Sequence, residues 1–379
     1  MTRTYDIAVV GLGAVGSAAL FHASARSVRT VGFDLLNPPH KMGSSHGGSR
    51  IIRRAYFEGA MYVPLLTRSY KLWRELEEKA DRPLMHLNGC LTIGRSEARL
   101  LEGAYESAAA FGVSCELLDV AEVHRRFPAF QLRDDERALW EPEAGWLDPE
   151  ECIRAHLDLA GNAGADIRRN DPVLSWGASG TGLHIETEGG TYNVDRIIMC
   201  AGGWIKSLLS DMDVPLHIER QVNAWFRPDV ADDRFTPERC PVCVWEYAPD
   251  DVLYGFPDIG GGVKTGLHHS GDKVDHPDEL DRHVHESDVE RLRRHTNRLM
   301  PHACGNVTAT TTCFYTNTPD EHYLIDRHPG LDRVVFASAC SGHGFKASSA
   351  VGEALVRMAL GEKDAVDLSA FRMKRFLRA

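Results

Sequence analysis

The chain has 379 residues, 43% hydrophobic and 26% charged, a globular composition too long for one core to organise, so two domains are expected. Its formal charge of −11 repels nucleic acid and anionic membrane, and no segment reaches the apolar length of a bilayer span. Small molecules are therefore the expected partners, and an anionic one needs a local cationic pocket.

In chain order, residues 6–10 (DIAVV) read as a buried strand that runs into Gly11-Leu12-Gly13-Ala14-Val15-Gly16 and then a small-residue helix. A second apolar strand over residues 28–33 ends at Asp34. Together these form a βαβ dinucleotide fingerprint: Gly11 permits the tight turn, Gly13 admits a pyrophosphate, Gly16 lets helix and strand pack, and Asp34 reaches ribose hydroxyls.

Residues 38–54 form a polar glycine- and serine-rich loop that ends in the cationic run SRIIRR, which suggests an anion or cofactor contact or else a solvated basic turn. Helical spacing of Leu65, Leu66, Tyr70, Trp73 and Leu76 predicts a helix over 63–80, and a second is predicted over 96–110. Asp148-Pro149-Glu150-Glu151 reads as an N-cap, a first-turn proline and a capping box, with no function needed to explain it.

A buried strand over residues 196–199 runs into Gly202 and Gly203, as another strand of the cofactor domain would. From 216 to 314 the pattern becomes β-rich, with one charged helix over 288–299, and marks the candidate substrate domain. The first style returns in a strand over 334–339, the loop Ser341-Gly342-His343-Gly344 and a helix over 347–360, so the cofactor domain is discontinuous.

Nine scattered cysteines do not form the framework of a small secreted domain, and no signal-type stretch opens the chain, so reduced thiols in a cytoplasm are expected. Cys240 and Cys243 have a metal or redox spacing without a second pair, which favours structural thiols. His283 and His285 read as solvated, and no metal site is expected.

The pieces GLGAVG at Gly11, PPHKMGSSHGGSRIIRRAYFEG at Pro38, YGFP at Tyr254, VKTGLHH at Val263, TTCFYTNTPDEHYLID at Thr311 and SGHGFKASSAVGE at Ser341 occur in one order. In this, nearly the whole chain resembles the monomeric sarcosine oxidase and N-methyltryptophan oxidase family of flavoproteins. The resemblance implies an α/β fold: a glutathione-reductase-type FAD-binding Rossmann domain plus a second domain whose mainly antiparallel sheet roofs the flavin. We assign residues 1–82, 140–215 and 320–379 to the first and 83–139 and 216–319 to the second.

The resemblance also implies residue roles. Cys313 matches the cysteine whose thiolate bonds the flavin 8α-methyl carbon, and Lys264 the lysine over the flavin that activates oxygen. Arg50 and His46 match residues beside the ring, and Arg53 with Lys346 the pair that grips the substrate carboxylate. Tyr254, His268 and Tyr315 match pocket-lining residues, while Ser44, Gly202, Gly342, Gly344, Phe345 and Lys346 join the glycine fingerprint and Asp34 in binding cofactor. In place of the two adjacent histidines frequent in the family's SSHGGS loop, this chain has Ser45 before His46, and residues 245–251 look long enough to cover the substrate.

The implied reaction is oxidative demethylation of a small N-methyl amino acid, of sarcosine or N-methyltryptophan type, by O2 to give the amino acid, formaldehyde and H2O2. The alternatives are an oxidase of a cyclic or primary amino acid (pipecolate, proline or glycine), a flavin dehydrogenase passing electrons to a partner, and a non-catalytic dinucleotide-binding protein. A monomer is expected.

Overall fold

A computed structural model of the chain describes residues 3–180, 182–338 and 340–376. The fingerprint forms as its sequence requires. The wholly apolar end of strand Arg3–Val10 lies between two parallel neighbours, with Val10 opposite Phe33 of Thr30–Phe33 on one side and opposite Met199 of Gly190–Met199 on the other. A strand buried on both faces reads as a continuous apolar run rather than an alternating one, which is why residues 6–10 carry no period of two.

These strands are the centre of an eight-stranded sheet, with Val173–Ser179 and Gly182–Thr187 beyond one edge and Asp166–Arg168 at the other. The strand Leu331–Ser338 returns from the C-terminal segment to pair parallel to Gly190–Met199, with Val335 opposite Ile198. Residue 339, the last of the strand read from the sequence, lies outside the described residues. Helices Ala14–Ser24 and Ser348–Leu360 share one core with the sheet through Val9, Leu20, Ile198 and Leu355.

A nine-stranded sheet is built from residues between 90 and 141 and between 217 and 317. At one edge Val307–Asn317 pairs antiparallel with His217–Phe226, which pairs antiparallel in turn with Val263–His268. Helix Glu286–Leu299 covers one face, where Leu292 and Leu299 pack with Phe226, Trp245 and Leu253. A three-stranded sheet of Arg50–Ile52, Gly145–Leu147 and Met85–His86 completes the strands.

The expected α/β fold is borne out, with three local corrections. The second helix is Arg99–Phe111 and starts three residues later than its apolar spacing suggests, after Ala98 in extended conformation. Asp148 is the N-cap of Pro149–Asn162 but makes no side-chain cap bond; its carboxylate instead takes His86 Nε2 at 2.9 Å. Residues 245–251 form no covering loop, because Val242–Ala248 and Asp251–Asp258 are antiparallel strands joined by a tight turn in which Asp250 has φ +63°.

Cys240 and Cys243 are wholly buried fillers of the second core. Among the described residues no group of three or more His, Cys, Asp or Glu could hold a metal ion, and no helix is long and apolar enough to cross a membrane.

Candidate active site

One cavity of about 440 Å³ connects the glycine turn to the nine-stranded sheet. At its first end the three glycines divide their work. A Cβ on Gly11 would lie 2.6 Å from the Cys200 carbonyl oxygen, and one on Gly16 only 1.7 Å from that of Gly11, whereas Gly13 meets nothing nearer than Ser45 Oγ at 3.8 Å. Gly11 and Gly16 therefore make the turn, and Gly13 leaves room beside it. Asp34 lines this end too, although its carboxylate already accepts from the backbone N–H of Leu12 and Leu36, each at 2.8 Å. Oδ2 has a lone pair left for a ribose hydroxyl, whereas Oδ1 also lies 3.4 Å from His40 Nε2.

Further along, the cationic loop turns in from Ser44, whose hydroxyl donates to the Phe314 carbonyl at 2.6 Å. Arg50 donates to the carbonyls of Ser44 at 2.7 Å and Ser49 at 2.8 Å and lines the cavity. Lys264, on strand Val263–His268, brings its Nζ to the carbonyls of Gly47 and Ser49 at 2.8 and 2.9 Å. Burial, reinforced by the Arg50 guanidinium, holds the Lys264 ammonium well below its usual pKa. The rings of Trp225 and Phe256 flank it.

His46 lies behind the cavity wall, close to Arg50 and Lys264. It is buried and does not line the cavity, while its neighbour Ser45 does. Burial and the Arg50 and Lys264 charges push its pKa down to about 3, so it is a neutral imidazole whose Nε2 has no partner.

Cys313 and Tyr315 of strand Val307–Asn317 line the cavity, and Phe314 between them borders it while packing with Ile218 and Leu280. Burial pushes the Cys313 thiol up, against the pull of Arg50 and Lys264. Asn223 bridges this strand to its neighbour: its amide lies 3.7 Å from Cys313 Sγ, and its carbonyl accepts from the Tyr254 hydroxyl at 3.1 Å.

At the far end Tyr315 meets His268 Nδ1 at 3.1 Å. Gly342, at φ +79°, lets both rings press close, because a Cβ there would lie 2.5 Å from His268 and 2.7 Å from Tyr315. Desolvation keeps His268 neutral, well below its ordinary pKa.

Arg53 and Lys346 reach the same end from different elements. Arg53 pairs with Glu58 at 2.9 Å and lies over the Tyr56 and Phe57 rings. Lys346 Nζ donates to the Tyr56 hydroxyl at 3.2 Å and the His343 carbonyl at 3.0 Å. The His343 tautomer follows from its partners: Nε2 faces the Glu321 carbonyl at 3.0 Å and must donate, so Nδ1 accepts from Tyr56 at 2.7 Å. Burial lowers Lys346 to about 7, against the pull of Glu58 and with the push of Arg53. Gly202, Gly344 and Phe345 line the cavity, and Phe345 stacks on Trp73.

Four participants went unread in the sequence: Glu58, Asn223, Tyr56 and His343. Glu58 had a faint signal as an acid five residues after Arg53 in a cationic stretch, and Asn223 as a polar residue in a buried strand.

The fingerprint, the open space over Gly13 and a cavity continuing to Cys313 fit an extended dinucleotide with a reactive ring at the second sheet. Residues 6–358 match the family model described as FAD dependent oxidoreductase. A monomeric sarcosine oxidase of Streptomyces avermitilis is 41% identical, with all of both chains covered. The chain belongs to the sarcosine oxidase and N-methyltryptophan oxidase family. An N-methyl-L-tryptophan oxidase of Salmonella agona is 33% identical over 98% of this chain and 99% of its own.

Like these flavoproteins, the chain is an FAD-dependent oxidase acting on CH–NH donors. Two solved structures share the fold: NikD, an amino acid oxidase, at TM-score 0.85 and 23% identity with 98% of each chain covered, and a glycine oxidase from Geobacillus kaustophilus at TM-score 0.83 and 19% identity with both covered in full. At those identities the likeness speaks for this family's fold alone.

Proposed function

We propose that the protein oxidises a small N-methyl amino acid, of sarcosine or N-methyltryptophan type, to an imine that water hydrolyses to the amino acid and formaldehyde. The observation that carries this reading is the buried cation pair, Arg53 and Lys346, at the cavity end beyond Cys313. In an acidic chain, two desolvated cations answer the need for a local anion site, and an arginine fork suits a carboxylate.

FAD supplies the redox chemistry, taking a hydride equivalent from the substrate and passing the electrons to oxygen as H2O2. The chain's own residues do the rest. Arg53 and Lys346 anchor the carboxylate, and Tyr315 and neutral His268 offer hydrogen bonds to the amine. Lys264 is a fixed cation for charge developing on oxygen, which argues against a dehydrogenase. We take Cys313 as the site of covalent attachment, since Arg50 and Lys264 favour the thiolate that such a bond requires. The two large sheets serve as the cores of a cofactor domain and a substrate domain.

Oxygen uptake and formaldehyde release on a panel of sarcosine, N-methyltryptophan, proline, pipecolate and glycine test the reading. N-methyl substrates should consume oxygen and release formaldehyde in equal amounts. Turnover confined to proline, pipecolate or glycine would replace demethylation with ring or α-carbon oxidation. Reduction without oxygen uptake would make the protein a dehydrogenase.

A further inference from the structure

The Lys264 ammonium is aimed by carbonyl oxygens, and one of them belongs to Gly47, which the loop itself holds through the Ser49 N–H to the Gly47 carbonyl at 2.9 Å. Gly47 and Gly48 stand in succession at φ +97° and +74°, and neither has a side chain to anchor it. Glycines pay a large entropic cost for a fixed conformation. Something more must compensate for it here.

Glu150 does so. Its Oε1 accepts from Gly47 N at 2.7 Å and from Gly48 N at 3.3 Å, and its Oε2 accepts from Gly48 N at 3.2 Å. The Gly48 N–H and the Gly47 carbonyl belong to one peptide plane and point in opposite directions across it. That plane thus has the Glu150 carboxylate on one side and the Lys264 ammonium, 2.8 Å from the carbonyl, on the other.

The fold delivers Glu150 to this place. Strand Arg50–Ile52, which ends the glycine loop, pairs with Gly145–Leu147 so that Arg50 lies opposite Leu147, and helix Pro149–Asn162 starts two residues later with Glu150 in its first turn. Glu150 does not line the cavity. Its charge nevertheless acts on Lys264, favouring the ammonium against burial and Arg50.

We propose that Glu150 is a positioning residue for Lys264, holding the Gly47–Gly48 peptide so that its carbonyl fixes the ammonium toward the oxygen side of the site. This rests on the reading of Lys264 given above. It also gives Glu150 a role that helix capping does not.

The test uses holoenzyme of wild type, Glu150→Ala, Glu150→Gln and Lys264→Met. Hydrogen exchange of residues 44–52 reads the loop, and stopped flow reads anaerobic reduction by sarcosine separately from reoxidation by oxygen. In Glu150→Ala the Gly47 and Gly48 amides should exchange faster. Reoxidation should fall roughly tenfold, with reduction changed less than about twofold. Glu150→Gln, which keeps an acceptor oxygen without the charge, should fall between, and it decides the matter if the alanine variant does not fold.

Unchanged exchange in Glu150→Ala would overturn the proposal. So would wild-type reoxidation in Glu150→Ala when Lys264→Met is slow. Should Lys264→Met itself reoxidise at the wild-type rate, the oxygen role of Lys264 fails, and the exchange data alone decide whether Glu150 holds the loop.

Discussion

Arg53 and Glu58 form an ion pair with Nη2 to Oε2 at 2.9 Å, their side chains only 3% and 10% exposed, at the substrate end of the cavity. On the proposed reading, Glu58 thus occupies the guanidinium assigned to the substrate carboxylate. An incoming carboxylate either displaces Glu58 or shares Arg53 with it.

The substitution Glu58→Gln separates stability from binding. Leaving the Arg53 charge buried with a neutral partner should destabilise the protein by about 3 kcal/mol. The same change should tighten binding of a simple carboxylate such as acetate, which would then raise the Tm of the variant more than that of wild type. Thermal unfolding with and without acetate checks both, and equal shifts in the two proteins would remove Glu58 from the carboxylate site.

Lys346 gives the site a pH dependence of definite sign. Its folded pKa is lowered to about 7, so the free protein holds the proton below that value and loses it above. A carboxylate prefers the ammonium, so binding takes up a proton there. The Kd of acetate, which has no amine to titrate in this range, should be level below about pH 7 and rise roughly tenfold per unit above it. In Lys346→Arg the charge persists, and the curve should be flat from about pH 6 to 9. A rising curve in that variant would move the titration to another group.

The same shift bears on stability. An unfolded lysine keeps its proton to about pH 10.4, so between about 7 and there the unfolded state binds more protons. Burial of Lys346 therefore costs most below pH 7, and that cost is relieved as pH rises through the window.

The parts of the site legible in the sequence were those whose chemistry is local. A strand, a glycine turn and a helix specify one another within about 30 residues, and GLGAVG formed with each glycine in a distinguishable role. His46 was not legible in this way. The resemblance put it beside the flavin ring, but successive residues of a loop need not share a face, and Ser45 lines the cavity while His46 lies behind it. Asn223 and Glu150 escaped for a different reason: each acts on a partner brought near by strand pairing, whereas Glu58 pairs with Arg53 only five residues away, across a loop bend that no period or motif announces.

The fingerprint glycines can be separated by experiment. A Cβ on Gly16 would fall 1.7 Å from the Gly11 carbonyl oxygen, backbone against backbone, while one on Gly13 meets only Ser45 Oγ at 3.8 Å. Gly16→Ala should therefore fold poorly or not at all. Gly13→Ala should leave the Tm of the cofactor-free protein within about 2 °C of wild type and weaken FAD binding at least roughly tenfold. With both proteins carrying Cys313→Ala, so that the flavin can be stripped, fluorescence titration of FAD measures the second effect, and unchanged affinity would take the pyrophosphate away from Gly13.

Covalent attachment is the claim most simply decided. Burial raises the Cys313 thiol and outweighs the pull of Arg50 and Lys264, so these cations only partly offset the cost of the thiolate that attachment requires. After acid precipitation, wild-type protein should carry its yellow colour into the pellet, with FAD mass on the peptide containing Cys313. Cys313→Ala should release the colour to the supernatant while still binding FAD, because the turn at Gly11 and the strand end at Asp34 are untouched. Replacing Arg50 by Met should slow attachment without preventing binding, since the thiol loses the stronger of the two cations that favour its ionised form. Colour released from the wild-type protein would leave a flavoenzyme with a non-covalent cofactor and reduce Cys313 to a wall residue; complete attachment in Arg50→Met would show that Lys264 alone suffices to ionise the thiol.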